Sequence, residues 1–279
     1  MTHPFFASPR PLVFAHRGGA ALAPENTVAA FDRAVALGAD GLELDVRFSR
    51  DGLVVVHHDR RLDRTTDLRG ALSSFTADEL ARADAGANFE IEGARPFRGR
   101  GIGVPTLESV LSRYPDRRLI IDMKVNSPEL ARAVVAGVRA AGAEERVCLG
   151  SFGWRVMRAA RELAPAIATS AAREEVRWAL YRCWCRWPVS RARYAGYQVP
   201  EIAGRTRVIS PRFVHGAHSA GLGVQVWTVN AEADAHRLLD WGVDALVTDR
   251  PDTIVPLVRE RSEAPGPIEA PRLNAAVPG

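Results

Sequence analysis

The chain has 279 residues, 47% of them hydrophobic and 25% charged, with three cysteines and a formal net charge of +4. That size supports one large core in one domain, and no apolar run reaches the roughly 18–20 residues of a membrane span. The mild positive balance suits an anionic substrate, whereas arginines spread along the chain without an RNA or DNA motif argue against a nucleic-acid partner.

Taken in chain order, Met1 to Arg10 lacks the basic stretch and long apolar run of a signal peptide, which leaves the cytoplasm as the expected location. Pro11 to Ala15 reads as the first strand. Thr27 to Leu37 has helical spacing, with Asn26 placed to cap it, and Gly38-Ala39-Asp40 stops it. Gly41 to Phe48 and Leu53 to His57 are strand-like. Residues 59–104 are rich in Asp, Arg and Gly, with one short helical run from Thr76 to Ala83, so a small inserted subdomain is expected there.

Further strands are predicted at Arg118 to Met123, Arg146 to Ser151, Ala166 to Ser170, Tyr194 to Val199, Gly223 to Thr228 and Ala245 to Thr248. Helices fall between them, at Pro128 to Ala141, Gly153 to Leu163, Arg173 to Cys183, Pro211 to Ala220 and Ala231 to Trp241. Beyond Arg261 the composition turns to Pro, Ala and Glu with no apolar period, the pattern of a disordered tail over 261–279. About eight βα steps in residues 11–260 predict a (β/α)₈ TIM barrel. An open doubly wound sheet fits less well, because Gly18-Gly19 is not the Gly-x-Gly-x-x-Gly turn that fold places after its first strand.

Several groups able to do chemistry sit on or just past these strand ends. Side chains two apart on a strand share a face, so Glu43 and Asp45 point one way, as do Asp122 and Lys124. In a barrel that face is the interior, near the C-terminal mouth where sites assemble. Buried carboxylates need a counter-charge. From spacing alone, a hard divalent cation and a salt-bridge network with Arg17 and Lys124 serve equally well. His16 and His58 are the candidate acid and base. His57 and His58 face opposite ways on an extended backbone, so one of them points into the mouth. Arg17 offers a planar fork for phosphate oxygens and Lys124 a point charge.

Other candidates have plainer readings beside the functional one. Glu25 and Asn26 are either helix-start residues, with Asn26 read mainly as a cap, or groups on or behind the rim of the site, and Trp227 either packs the barrel or walls the glycerol pocket. Cys183 and Cys185 have no nearby Cys or His to complete a metal site, and an odd cysteine count argues against a disulfide framework. Trp178, Trp184 and Trp187 lie among arginines between Arg173 and Arg193. That mixture suits contact with an anionic membrane, but a surface helix covered by arginine stems is preferred.

One ordered series of motifs binds these residues together. It comprises His16-Arg17-Gly18, Pro24-Glu25-Asn26-Thr27, Glu43-Leu44-Asp45, His58-Asp59, Leu62 to Thr66, Pro105 to Glu108 and Ile120 to Lys124, then Trp227 to Asn230, Gly242-Val243-Asp244 and Thr248 to Pro251. In this order the series resembles the glycerophosphodiester phosphodiesterase family. The resemblance implies a TIM barrel with an insertion over its mouth, and a divalent cation, Ca²⁺ or Mg²⁺, on Glu43, Asp45 and Asp122. It selects His58 over His57 beside His16, and has Arg17 and Lys124 contact the phosphate; Glu25 and Trp227 join them as expected substrate-site residues. Asp122 stands where the family usually has Glu. The implied reaction releases sn-glycerol 3-phosphate and an alcohol such as choline or ethanolamine. Lysophospholipid or phosphoinositide hydrolysis, and a non-catalytic phosphate-binding barrel, are the alternatives.

Overall fold

A computed structural model describes residues 3–187 and 192–263. After a 3₁₀ turn at Pro4–Phe6 come β1 (Leu12–Ala15), α1 (Val28–Ala36), β2 (Gly41–Phe48), β3 (Val54–Val56), α2 (Ala77–Ala81) and α3 (Leu107–Arg113). The middle holds β4 (Arg118–Met123), α4 (Pro128–Ala140), β5 (Val147–Gly150), α5 (Trp154–Leu163), β6 (Ala168–Thr169) and α6 (Arg173–Cys185). Next are β7 (Gly196–Pro200), β8 (Ile202–Ala203), β9 (Thr206–Arg207) and α7 (Pro211–Ser219). The last elements are β10 (Gly223–Trp227), α8 (Glu232–Asp240), β11 (Ala245–Thr248) and α9 (Pro251–Glu263).

Eight of the strands run parallel in the order β6-β5-β4-β2-β1-β11-β10-β7. A parallel bridge from Ser170 to Gly196 draws the two ends of that order together, so the sheet forms a nearly closed (β/α)₈ barrel. The run at 53–57 is not a stave. β3 pairs antiparallel with β2, Val46 opposite Val56, and so turns the chain out of the barrel.

Alternation along each strand divides the core into two layers. Outward residues such as Leu42, Leu44, Leu119 and Ile121 pack under helical Phe31, Val134 and Leu130, all buried. Each such side chain is worth about 1.5–3 kcal/mol over leaving it in water. Inward residues Phe14, Ile120, Cys148, Ala168 and Val247 fill the barrel interior, with Phe5 and Phe6 of the N-terminal turn packed against them. Phe6 is also why Gly196 and Gly223 have no side chains: a Cβ there would lie 2.6 and 2.3 Å from its ring.

Residues 59–104 are not shapeless. Val55, Leu62, Leu72, Ala77, Leu80, Ala85 and Val104 form a separate buried cluster, and Thr76 with Glu79 makes a reciprocal capping box on α2. Two expectations need correction. α9 carries the fold to Glu263, slightly past Arg261 where the tail was expected to begin; residues 264–279 of that tail lie outside the described residues, as do 188–191 of the Trp- and Arg-rich stretch. Asn26 does not cap α1: Thr27 does, its hydroxyl accepting from the Ala30 N–H.

Candidate active site

Inward positions nearest the C-terminal ends of the strands change from apolar to polar. β2 and β4 are in register with Glu43 opposite Ile120 and Asp45 opposite Asp122. Carboxylate oxygens of Glu43, Asp45 and Asp122 consequently all lie within 4.8 Å of one another. Oxygen-only donors at this spacing match what a hard divalent cation takes.

The charges around the trio are unevenly shared. Lys124 Nζ lies 2.6 Å from Asp122 Oδ2 and 2.8 Å from Asp45 Oδ1, and Arg17 Nε is 3.3 Å from Asp45 Oδ2. Burial works against ionised Asp45, yet Lys124 and Arg17 prevail and hold its carboxyl below the usual range. Lys124 is likewise raised: burial opposes its charge, and Asp122 and Asp45 outweigh it. Glu43 has no such help. Among the described residues no lysine or arginine side chain reaches it; it accepts the Arg17 backbone N–H at 3.0 Å, and His16 Nε2 stands 3.9 Å away. Burial, then the like charge of Asp45, push the Glu43 carboxyl up to about 7. A salt-bridge network therefore accounts for Asp45 and Asp122 and leaves Glu43 short of positive charge, the deficit a divalent cation would fill.

Asn26 supplies the remaining support. It is 2% exposed, its amide donates to Asp45 Oδ2 at 2.8 Å, and its carbonyl oxygen accepts from the Asp45 N–H at 3.2 Å. Arg17 sits in the left-handed region at φ 50°, a conformation costing about 1 kcal/mol for a residue with a side chain. The following Gly18, at φ 85°, meets α1 so closely that a Cβ would lie 2.7 Å from that of Ala30.

The two histidines are built alike. His16 follows β1, and its Nδ1 lies 2.7 Å from Asp249 Oδ1 at the end of β11. His58 Nδ1 lies 2.7 Å from Asp59 Oδ1. A carboxylate can only accept, so each Nδ1 carries the proton and each Nε2 is left to act on a substrate. Burial opposes a charged His16, but Asp249 and Glu43 win and raise its pKa. Arg64 and His58 overcome burial to hold Asp59 down to about 2. His57 turns away: it is buried, Nδ1 on the Asp59 carbonyl at 3.1 Å and Nε2 on Thr65 Oγ1 at 3.0 Å. Burial lowers its pKa.

A cavity of about 610 Å³ opens over this assembly, lined by His16, Arg17, Glu43, His58, Asp122, Lys124 and Trp227. Asp45 is buried and does not line it, Lys124 standing between its ion pairs with Asp45 and Asp122. Glu25 does not line it: it receives Arg17 at 3.0 Å and both outer nitrogens of Arg64 at 2.7 Å, and so backs Arg17 from behind. Strand periodicity assigns no role to Asp249 or to Asn230, which donates to Asp249 Oδ2 at 3.0 Å. Closure of the barrel was the signal for them. Ala15 pairs with Thr248, so the residues next in each strand must be neighbours. The far wall, with Phe152 after β5, Arg173 and Arg177 in the first turns of α6 and Ile202 of the β8–β9 ribbon, is not revealed by strand periodicity.

The chain is similar to proteins of one family along most of its length. Residues 16–253 match the profile of the Glycerophosphoryl diester phosphodiesterase family. A glycerophosphodiester phosphodiesterase of Caldanaerobacter subterraneus is 34% identical over 255 residues, covering 89% of this chain and 98% of that one. One from Bacillus altitudinis is 31% identical over 255 residues, covering 89% and 98%. Among solved structures, an Oleispira antarctica phosphodiesterase in complex with the product sn-glycerol-3-phosphate superposes with a TM-score of 0.74 at 27% identity, covering 90% of this chain and 97% of that one. A glycerophosphoryl diester phosphodiesterase domain from Mycobacterium tuberculosis gives 0.77 at 26% identity, covering 90% and 99%.

Proposed function

The chain belongs to the glycerophosphoryl diester phosphodiesterase family, and on that premise we propose that it hydrolyses glycerophosphodiesters to sn-glycerol 3-phosphate and an alcohol at the mouth just described. The observation that carries the reading is the pair of carboxylate-held imidazoles, His16 and His58, lining one cavity with an acidic trio whose oxygens lie within 4.8 Å of one another.

Glu43, Asp45 and Asp122 would hold a divalent cation, Ca²⁺ or Mg²⁺, which when bound supplies Lewis-acid stabilisation of charge on the phosphoryl oxygens. Arg17 and Lys124 bind the same oxygens, Arg17 braced by Glu25 and Arg64 behind it. One imidazole takes the proton of the attacking hydroxyl at Nε2 while the other delivers a proton to the departing alcohol. When the neighbouring glycerol hydroxyl attacks, the bond from phosphorus to the alcohol breaks and a cyclic phosphate forms. Water then adds across that ring with the proton roles reversed, so the sum is consumption of one water. Trp227 walls the substrate pocket beside Phe152.

The reading extends to setting. The insertion at 59–104 reaches the mouth through Asp59 and Arg64, and residues 11–260 act as one barrel unit. The thiols of Cys148, Cys183 and Cys185 are all free, which suits the reducing cytoplasm. No helix among the described residues is long and apolar enough to cross a membrane. A coupled assay for sn-glycerol 3-phosphate, run on several glycerophosphodiesters with and without chelator, tests the proposal. Release that stops on chelation and returns with Ca²⁺ or Mg²⁺ is expected; no release from any diester would sink it.

A further inference from the structure

Counted round the barrel, β6 lies four strands from β1 in either direction, so the turn and helix that follow β6 stand across the mouth from His16. The cavity runs from the catalytic groups to that far side, where it meets Arg173 and Arg177 of α6 and Ile202 of the β8–β9 ribbon. A diester whose phosphorus sits at the carboxylate trio must extend its other half in this direction.

Charge on that side is of one sign. Among the described residues, the acidic ones lining the cavity are Glu43 and Asp122, both at the phosphate end. The cations of that end, Arg17 and Lys124, are already in ion pairs. Among the described residues, no carboxylate lies within ion-pair distance of Arg173 or Arg177. The cavity's aromatic pair, Phe152 and Trp227, meets edge to face with centroids 6.0 Å apart and offers the surface on which a quaternary ammonium would settle. That surface is taken: the Arg173 guanidinium sits 5.0 Å from the Phe152 centroid.

We infer that Arg173 and Arg177 select the alcohol half of the diester by charge, favouring an alcohol that carries its own anionic group, a carboxylate or a second phosphate, over choline or ethanolamine. The inference rests on the phosphodiesterase reading above and narrows its substrate class. Arg173 offers such an anion a planar fork, and a cationic head group meets two uncompensated positive charges and an occupied aromatic face. Both arginines are exposed, so solvent screening keeps the effect modest. The expected preference is about tenfold in kcat/KM, carried mainly by KM.

The test compares kcat/KM for glycerophosphocholine with that for glycerophosphoglycolate, whose alcohol bears a carboxylate, and for glycerophosphoinositol 4-phosphate, whose alcohol bears a phosphate. One or both anionic diesters should lead the choline ester by about tenfold, the faster one identifying the anion, with the gap narrowing at high salt. Arg173→Gln with Arg177→Gln should bring the ratio near one, and Arg173→Glu with Arg177→Glu should invert it. The ratio is insensitive to how much of a variant folds. A wild-type ratio at or below one, or a ratio unmoved by the double Glu substitution, overturns the inference. Failure to cleave any of these diesters would defeat the phosphodiesterase reading instead.

Discussion

Asp249 Oδ1 lies 2.7 Å from Nδ1 of His16, although 233 residues separate the two in sequence. The contact exists because β1 and β11 are neighbours in the closed barrel, Ala15 in register with Thr248. Asn230 fixes the carboxylate in turn: its amide donates to Oδ2 and its carbonyl oxygen accepts the Asp249 N–H at 2.8 Å. His16 is thereby held as the tautomer with Nδ1 protonated and Nε2 turned to the cavity.

Asp249→Asn should consequently act on turnover rather than binding. An amide can donate to Nδ1 and stabilise the wrong tautomer, so kcat should fall by about 10²–10⁴ with KM nearly unchanged. The carboxylate also raises the His16 pKa. Its loss should move the low-pH limb of the kcat profile toward lower pH if His16 must be neutral to act. An unchanged profile together with near-normal kcat would remove Asp249 from the machinery.

His16→Ala and His58→Ala should each lower kcat by about 10²–10⁴, because each removes one of two proton-transfer groups. The double variant should be little worse than either single one, since the two act as a unit. Far-ultraviolet circular dichroism should stay unchanged, as both side chains line a cavity rather than fill the core. Substantial activity in both single variants would defeat the acid–base assignment.

Asn26 shows how a site residue can hide behind a local rule. It precedes a helical run and belongs to the residue types that cap helices, yet Thr27 occupies that position while Asn26 takes φ 58° and turns its amide to Asp45. Asn26→Ala would strip both hydrogen bonds from a buried carboxylate residue and place Ala in the left-handed region. Together these should cost about 2–4 kcal/mol. At about 2–4 °C per kcal/mol, the melting temperature should drop by roughly 5–15 °C. A drop below about 2 °C would show that Asp45 is held without Asn26.

The same contrast governs the rest of the chain. β4 was legible to the residue because the apolar run Leu119 to Ile121 marks a buried parallel strand, and α4, α5 and α8 were legible from helical spacing to within one or two residues at either end. Spacing alone predicts no helix at α3 or α9, although a sequence motif covers the start of each. The β8–β9 ribbon is two exposed residues a side, too short for alternation to register. Glu43 and Asp45 could be placed on one face from a period of two, and the series of motifs identified His58. The Arg64 fork onto Glu25, and the far wall with Arg173, depend on which loops and helix starts meet across the mouth. No local period encodes that.

Glu43 offers the sharpest test of the cation site, since burial and Asp45 lift its carboxyl from an ordinary 4.5 to about 7. In the chelated protein the folded state therefore holds a proton that the unfolded chain releases at lower pH. The stability from that proton is complete below about pH 4.5 and is lost as pH rises through about 7. A cation must displace the same proton, so its affinity should climb about tenfold per pH unit up to about 7 and then level. Calorimetry at pH 6 and pH 8, each in two buffers of different ionisation enthalpy, should find close to one proton released at pH 6 and close to none at pH 8. Glu43→Gln should fold in chelator, lose the alkaline decline in melting temperature, and bind Ca²⁺ or Mg²⁺ at least about 10–100-fold more weakly. Affinity that stays flat from pH 6 to 7.5 in the wild-type protein would show that Glu43 either ionises normally or is not a ligand.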